Sequence, residues 1–129
     1  ASNTQISGDI SNLKNSKITE SYLEGLTLSG DLASIPSTCK FISLRNNDKS
    51  NFTWGSRPSS SKILAIIGNP KIDNVDKMLQ DQAQCVKGFT ENDSYLFKTI
   101  TATGTRTSAS DGAVSILQDK GYTVSIVNV

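Results

Sequence analysis

Apolar and polar residues alternate along this chain in a unit that repeats, and the unit is clearest over residues 23–35. There, leucines at the spacing L-x-x-L-x-L lead into an aspartate and then into two more aliphatic residues. Residues 6–13 align with residues 28–35 without a gap, and three of the eight positions are identical. A short apolar strand, a tight turn and a return segment that recur in this way predict a solenoid of stacked coils.

The repeat frame extends irregularly over the whole chain. One apolar residue of each predicted strand serves as its anchor, and these anchors are Ile6, Leu28, Leu44, Ile66, Ala102 and Ile126. Three positions after the anchor, four of the six repeats carry an aspartate or an asparagine: Asp9, Asp31, Asn47 and Asn69. Such side chains hydrogen-bond the backbone of their own turn, so we expect them to point inward. The intervals between anchors are uneven, with a short step from Leu28 to Leu44 and a long one from Ile66 to Ala102, which predicts an irregular repeat.

The length of 129 residues predicts a single domain with three parts of different texture. Residues 1–22 are polar and fit an N-terminal cap or a terminal repeat. Residues 23–72 hold the short repeats, in which the apolar run 63–67 predicts a strand that is buried on both faces. Residues 73–129 fit helical C-terminal repeats or a cap.

In this last part, helix signals alternate with strand signals. Asp73 resembles an N-cap, and the apolar spacing after it predicts a helix to about Lys87, with Gly88 just beyond its end. A second helix is expected to run through Lys120, and residues 122–129 form the last predicted strand. Strands separated by helices imply a parallel sheet.

The most loop-like stretch, residues 46–62, carries one set of candidate binding residues. It places Phe52 and Trp54 in a polar setting, followed by Arg57. A tryptophan beside an arginine is typical of an interaction hot spot. A tryptophan in a long polar loop can equally anchor that loop to the body of the protein, so both interpretations stay open. Under the first interpretation, replacing Trp54 with alanine should spare stability and damage binding.

The residues between the inward positions of each predicted strand form a second candidate surface. These outward side chains are mostly small or hydroxyl-bearing, and they include Ser29, Ser43 and Arg45. Such a face fits a flat protein partner, a glycan or another copy of the chain. It fits equally well a strand surface that only meets water.

The composition narrows the available chemistry. The chain has no histidine, which excludes Ser-His-Asp and Cys-His nucleophilic sites and the common zinc sites. The acidic residues are scattered through polar segments, and the turns after two predicted strands match neither glycine-rich phosphate motif. We therefore expect no catalytic residues, no bound metal and no cofactor.

Net charge and hydropathy limit the classes of partner that we expect for this chain. The net charge of +1, from 13 basic and 12 acidic residues, gives no electrostatic reason to expect nucleic acid. No apolar run approaches the length of a membrane span, and residues 1–9 lack the regions of a signal peptide. For Cys39 and Cys85 we favour two buried thiols over a disulfide bridge.

With these residues set out, the chain resembles the degenerate, Ser/Asn-rich leucine-rich repeats of surface proteins from gut bacteria and their phages. The resemblance rests on residues 6–13 and 28–44, which fit units of a Gly-Asp-aliphatic turn, a Pro-Ser pair and a Leu-x-Leu strand. It is good over residues 4–47 and weak beyond residue 72. It implies an α/β, leucine-rich-repeat-like solenoid with a parallel sheet and a role in contact, and it implies no catalytic residues.

The expected function is a non-enzymatic interaction module that serves adhesion, receptor binding or decoration of a virion. The resemblance implies an extracellular place, on a cell surface or a virion surface, and a protein or glycan surface as the partner. One alternative is a structural subunit, in a homo-oligomer or a larger assembly, that self-associates through the hydroxyl-rich strand face. The strand–helix pattern of the C-terminal half leaves a second alternative, a small α/β nucleotide-binding protein or enzyme.

Overall fold

The computed structural model describes residues 8–25, 27–47 and 50–129. Short strands fill the first half of the chain, and two helices and two longer strands follow. In chain order the elements are β1 (Gly8–Asp9), β2 (Glu20–Tyr22), β3 (Leu28–Asp31), β4 (Phe41–Ser43), β5 (Asn51–Thr53), β6 (Ala65–Ile67), β7 (Lys71–Ile72), α1 (Val75–Ala83), β8 (Thr99–Gly104), α2 (Asp111–Asp119) and β9 (Thr123–Asn128). Short 3-10 helices occupy Ile10–Leu13, Leu32–Ser34, Tyr95–Lys98 and Ser108–Ser110.

The described strands pair in parallel and stack in two rows. The first row is β1, β3, β5 and β7, and the second row is β2, β4 and β6. Strand β8 joins the rows, because Ile100 lies opposite Ile66 of β6 while Thr103 lies opposite Lys71 of β7. The other edge of β8 pairs with β9 along its whole length. The result is a curled, nine-stranded parallel sheet with two helices, which confirms the α/β class and the parallel sheet.

Each coil of the chain visits both rows before it returns. A strand of the second row leads through a turn into a strand of the first row, and a 3-10 helix, a loop or α1 carries the chain back. Aliphatic side chains fill the space between the rows and the return segments, and the largest fully buried ones include Ile10, Leu23, Leu32, Ile42, Leu44, Leu64, Ile66, Met78, Leu79 and Ile100. Each such side chain contributes roughly 1.5–3 kcal/mol by leaving water.

The successive anchors Leu28 and Leu44 do not lie on adjacent strands, as one strand per coil would require. Leu28 belongs to β3 in the first row, whereas Ile66 lies in β6 and Leu44 directly follows β4, both in the second row. Ile6 and Leu26 lie outside the described residues. Two strands per coil explain the short interval between Leu28 and Leu44, because this step passes from one row to the other.

The hydrogen bonds expected within each turn are present at Asp9 and Asp31, but Asp9 is exposed instead of pointing inward and Asp31 is only half-buried. The carboxylates of Asp9 and Asp31 each accept a hydrogen bond from the N–H two residues on, at 2.8 and 2.9 Å, and each begins a 3-10 helix. Asn47 is buried and its Nδ2 donates to the carbonyl of Leu23 in the preceding coil, at 2.7 Å. Asn69 is exposed, and it shapes its turn through a φ of +54° instead.

Both predicted helices are present, and α1 begins one residue later and ends earlier than expected. Helix α1 begins after Asn74, whose side chain accepts from the N–H of Lys77 at 3.2 Å, rather than after Asp73. It stops at Ala83 instead of near Lys87, because the backbone of Val86 pairs with the neighbouring segment: its carbonyl accepts from Ile63 at 2.7 Å. The expected strand over 63–67 is buried throughout, and β6 occupies its last three residues.

One side chain of α1 completes the sheet hydrogen bonding beside β6. Gln82 is fully buried, and its amide accepts from the N–H of Leu64 and donates to the carbonyl of Leu64, both at 2.8 Å. The amide thus replaces the neighbouring strand that Leu64 lacks, and buried backbone groups need such partners. This explains why a polar residue lies among the buried residues of α1.

Close stacking of successive turns predicts an effect of substitution at Gly68. This residue has a φ of +102°, and an added Cβ would lie 2.5 Å from the backbone of Leu44 and Arg45 in the preceding coil. We expect Gly68→Ala to lower the free energy of unfolding by about 2–3 kcal/mol in urea titrations. The matched control is Gly112→Ala in α2, where a Cβ meets nothing within 4 Å and should stabilise the helix by about 0.5–1 kcal/mol. Equal effects of the two substitutions would contradict the stacking.

Candidate interaction surface

Two adjoining clefts lie where β8 meets the two rows of strands. The first has a volume of about 250 Å³ and the second of about 370 Å³. Lys71 of β7 and Thr103 of β8 line both of them. The first cleft is completed by Asn51, Phe52, Ile72, Asp73, Gly104 and Val129, and the second by Asn47, Gly68, Asn69 and Val127.

The two clefts differ in chemistry. Apolar groups of Phe52, Ile72 and Val129 dominate the first, while amides, a threonine and a lysine dominate the second. A ligand that spans both would meet an apolar wall on one side and hydrogen-bonding groups on the other. Binding sites for small molecules and for projecting parts of macromolecules combine these two features.

Threonine hydroxyls of β8 hold the turn at residues 68–70, which lines the second cleft. The hydroxyl of Thr101 donates to the carbonyl of Ile66 at 3.1 Å and accepts from the N–H of Asn69 at 3.1 Å. The hydroxyl of Thr103 donates to the carbonyl of Asn69 at 2.8 Å, and its N–H donates to the carbonyl of Pro70. Side chains therefore supply the hydrogen bonds that β8 cannot make with β6 or β7 at this point. These hydroxyls, expected as a surface for a partner, stabilise the fold itself.

Trp54, a candidate for binding from the sequence, lies inside the protein. Its side chain is 4% exposed, and its indole Nε1 donates to the carboxylate of Asp81 on α1 at 2.9 Å. The same carboxylate oxygen accepts from the N–H of Arg57 at 3.0 Å, and Lys77 donates to both oxygens. The tryptophan thus anchors the loop to the body of the protein, and the exposed setting expected under the hot-spot interpretation is wrong.

The electrostatics of this anchor favour a charged Asp81. Partial burial acts to raise the pKa of its carboxyl, but hydrogen bonds from Lys77, Trp54 and the Arg57 backbone outweigh burial and hold that pKa below its ordinary value. The carboxylate is therefore ionised at neutral pH and serves as the common acceptor for the loop.

Arg57 is also buried, and its guanidinium satisfies carbonyl groups instead of meeting a partner. Nη1 donates to the carbonyl of Ile35 at 2.6 Å, and Nη2 donates to those of Pro36, Cys39 and Lys62 at 3.2, 3.4 and 2.9 Å. Burial lowers the pKa of this guanidinium, although an arginine stays charged at neutral pH. The segment that contains Pro36 is not helical, so the carbonyl of Ile35 needs a donor from outside the segment and Arg57 provides it.

The remaining sequence candidates divide between core and surface. Phe52 is buried although it borders the first cleft, and Ser43 is fully buried with its hydroxyl hydrogen-bonded to the carboxylate of Glu24. The expected outward exposure of Ser43 is therefore wrong, because the outward face of β4 and β6 lies beneath other residues, among them Phe97, whose ring stacks on that of Phe41 at 4.5 Å. Ser29 and Arg45 are exposed as expected, and neither lines a cleft.

The two thiols are buried and free, as expected from the sequence. Burial raises the pKa of both Cys39 and Cys85, so neither is an activated thiolate at neutral pH. Over the described ranges, no group of three or more acidic or cysteine side chains could hold a metal ion. Neither described helix has the length and hydropathy that crossing a bilayer requires.

Two residues are common to both clefts: sequence reasoning placed Thr103 on the outward hydroxyl-rich face but did not identify Lys71. The available signal was the Gly-Asn-Pro turn at 68–70, which marked the end of a buried strand. The turn did not reveal which later strand would lie beside it, since a helix and a long connection separate the two side chains along the chain.

Comparison with known proteins gives no family for this chain: no family model matches it, and neither do any curated protein or solved structure. Any inference about function therefore depends on the physical character of the surface.

Proposed function

We propose that this protein is a non-enzymatic interaction module that binds a protein or glycan surface through the paired clefts beside β8. The observation that carries the proposal is the meeting of an apolar cleft and a polar cleft at Lys71 and Thr103. The polar lining of the second cleft suits the hydroxyls of a sugar or the backbone of a peptide. The apolar wall suits a methyl group or a side chain next to them.

A place on a cell or virion surface belongs to the same proposal. It is supported by the resemblance to Ser/Asn-rich repeat proteins and by the stacking of parallel coils, an architecture that offers extended surfaces to partners. The nearly balanced net charge also supports the proposal, because binding would depend on shape and hydrogen bonding rather than on a strong electrostatic field.

Direct binding measurements test this proposal. The purified protein is applied to a glycan array and to immobilised mucin and fibronectin, and binding is measured by surface plasmon resonance. We expect binding to at least one of these probes, and a loss of about tenfold in affinity on Lys71→Glu, because that residue lines both clefts.

The control is Lys17→Glu, which makes the same change of charge at an exposed residue that lines neither cleft. It should leave the affinity within about twofold of the unaltered protein. No binding to any probe, or equal losses for the two variants, would contradict the proposed site.

A further inference from the structure

The last strand, β9, presents an open edge. It pairs with β8 through all six of its residues, and among the described residues nothing pairs with its outer edge. The N–H of Val129 donates to the carbonyl of Gly104 on β8 at 3.3 Å. Because the backbone groups of successive residues point to opposite edges of a strand, the N–H and C=O groups of Val124, Ile126 and Asn128 point away from β8. An unpaired edge of this kind is a template for another strand.

Features that commonly protect an edge strand are missing from β9. Residues 121–129 contain no charged residue and no proline, and the strand is rich in β-branched residues. Val127 and Val129 are 48% and 85% exposed. The two other edges of the sheet, β1 and β2, have only two and three described residues. Stacking β9 of one copy onto either of them in the next copy would therefore leave at least half of its six-residue edge unpaired.

We propose that two copies of the protein associate through antiparallel pairing of their β9 strands across a twofold axis. A strand without charges can lie against itself with no repulsion between like charges, and a twofold arrangement covers both open edges at once. The outward backbone groups define the register: Ile126 lies opposite Ile126, and Val124 lies opposite Asn128. This register forms about six backbone hydrogen bonds across the interface.

The register makes a specific prediction for the side chains on the exposed face. Ser125 of one copy lies opposite Val127 of the other, and the same pair recurs on the other side of the axis. The double substitution Ser125→Lys with Val127→Lys places like charges opposite each other twice. The double substitution Ser125→Glu with Val127→Lys places opposite charges there, at the same two exposed positions.

Sedimentation velocity over about 1–500 µM protein tests the association. We expect a dimer, a loss of at least about tenfold in its association constant for the Lys/Lys variant, and a preserved dimer for the Glu/Lys variant. A monomer at every concentration, or equal behaviour of the two variants, would overturn the proposal. Species that grow beyond the dimer would overturn it too, because they would indicate head-to-tail stacking.

Amide hydrogen exchange supplies an independent readout. The amides of Val124, Ile126 and Asn128 should exchange more slowly as the protein concentration rises, while those of Ser125 and Val127, which donate to β8, should be protected at all concentrations. Unchanged exchange at the first three amides would show that any dimer uses another surface. Val127 lines the second cleft as well as the proposed dimer interface, so a substitution there changes both. Lys71→Glu changes the same cleft without touching β9, and it should therefore leave the dimer intact whether or not the cleft binds a partner.

Discussion

Replacing Arg57 with alanine is expected to lower the free energy of unfolding by about 4–6 kcal/mol. The substitution removes the guanidinium donor from the carbonyls of Ile35, Cys39 and Lys62, and each such loss costs roughly 1–3 kcal/mol before water enters the space. The carbonyl of Pro36 keeps a hydrogen bond from the N–H of Cys39 at 2.9 Å. Losses of this size come only from a few mechanisms, of which a disrupted buried hydrogen-bond network is one. Urea unfolding followed by circular dichroism measures the change.

Two control substitutions isolate the cause of this effect. Arg57→Lys keeps the charge, but a compact ammonium cannot reach four carbonyls from one position, so we expect a loss of about 2–3 kcal/mol. Arg45→Ala removes an exposed arginine and should change stability by less than about 0.5 kcal/mol. If Arg57→Ala were as mild as Arg45→Ala, the guanidinium would have no structural role.

Replacing Trp54 with alanine is expected to lower the free energy of unfolding by about 3–5 kcal/mol. A large buried ring is lost, and Asp81 loses the donor that joins the loop to α1. This is the opposite of the result expected for an exposed binding residue, which would spare stability. Because Trp54 is the only tryptophan, unfolding must be followed by circular dichroism instead of intrinsic tryptophan fluorescence.

Trp54→Phe separates the hydrogen bond from the packing. It keeps most of the ring volume and removes the indole N–H, so we expect a smaller loss of about 1–2 kcal/mol. Tyr95→Ala is the surface control, since that ring is 75% exposed and its removal should be nearly neutral. A stable Trp54→Ala variant would indicate that the loop is held without its tryptophan.

The stacked parallel coils could be predicted from the sequence because aliphatic spacing fixes which side chains turn inward. The division into two rows could not. Strands such as Gly8–Asp9 and Lys71–Ile72 are too short and too polar to show a period of two. The short interval between Leu28 and Leu44 was the one sign that successive anchors belong to different rows.

The roles of Trp54 and Arg57 depend on partners that are distant in the sequence. Nothing near Arg57 in the chain shows that the carbonyls of Ile35 and Cys39 would need its guanidinium as a donor, since the need arises only once the loop covers that segment. The clefts likewise depend on residues that are distant in the sequence. Lys71 and Thr103 meet because β8 passes from one row to the other, a tertiary arrangement that local patterns do not encode.

The crossing of β8 from one row to the other has a consequence for cooperativity. In a simple solenoid each coil contacts only its neighbours, so unfolding can begin at an end and proceed one coil at a time. Here the two rows end on a single strand, and loss of β8 would remove partners from β6, β7 and β9 together. Local opening that reaches this strand therefore spreads into both rows, which couples the first half of the chain to the second in one unfolding transition.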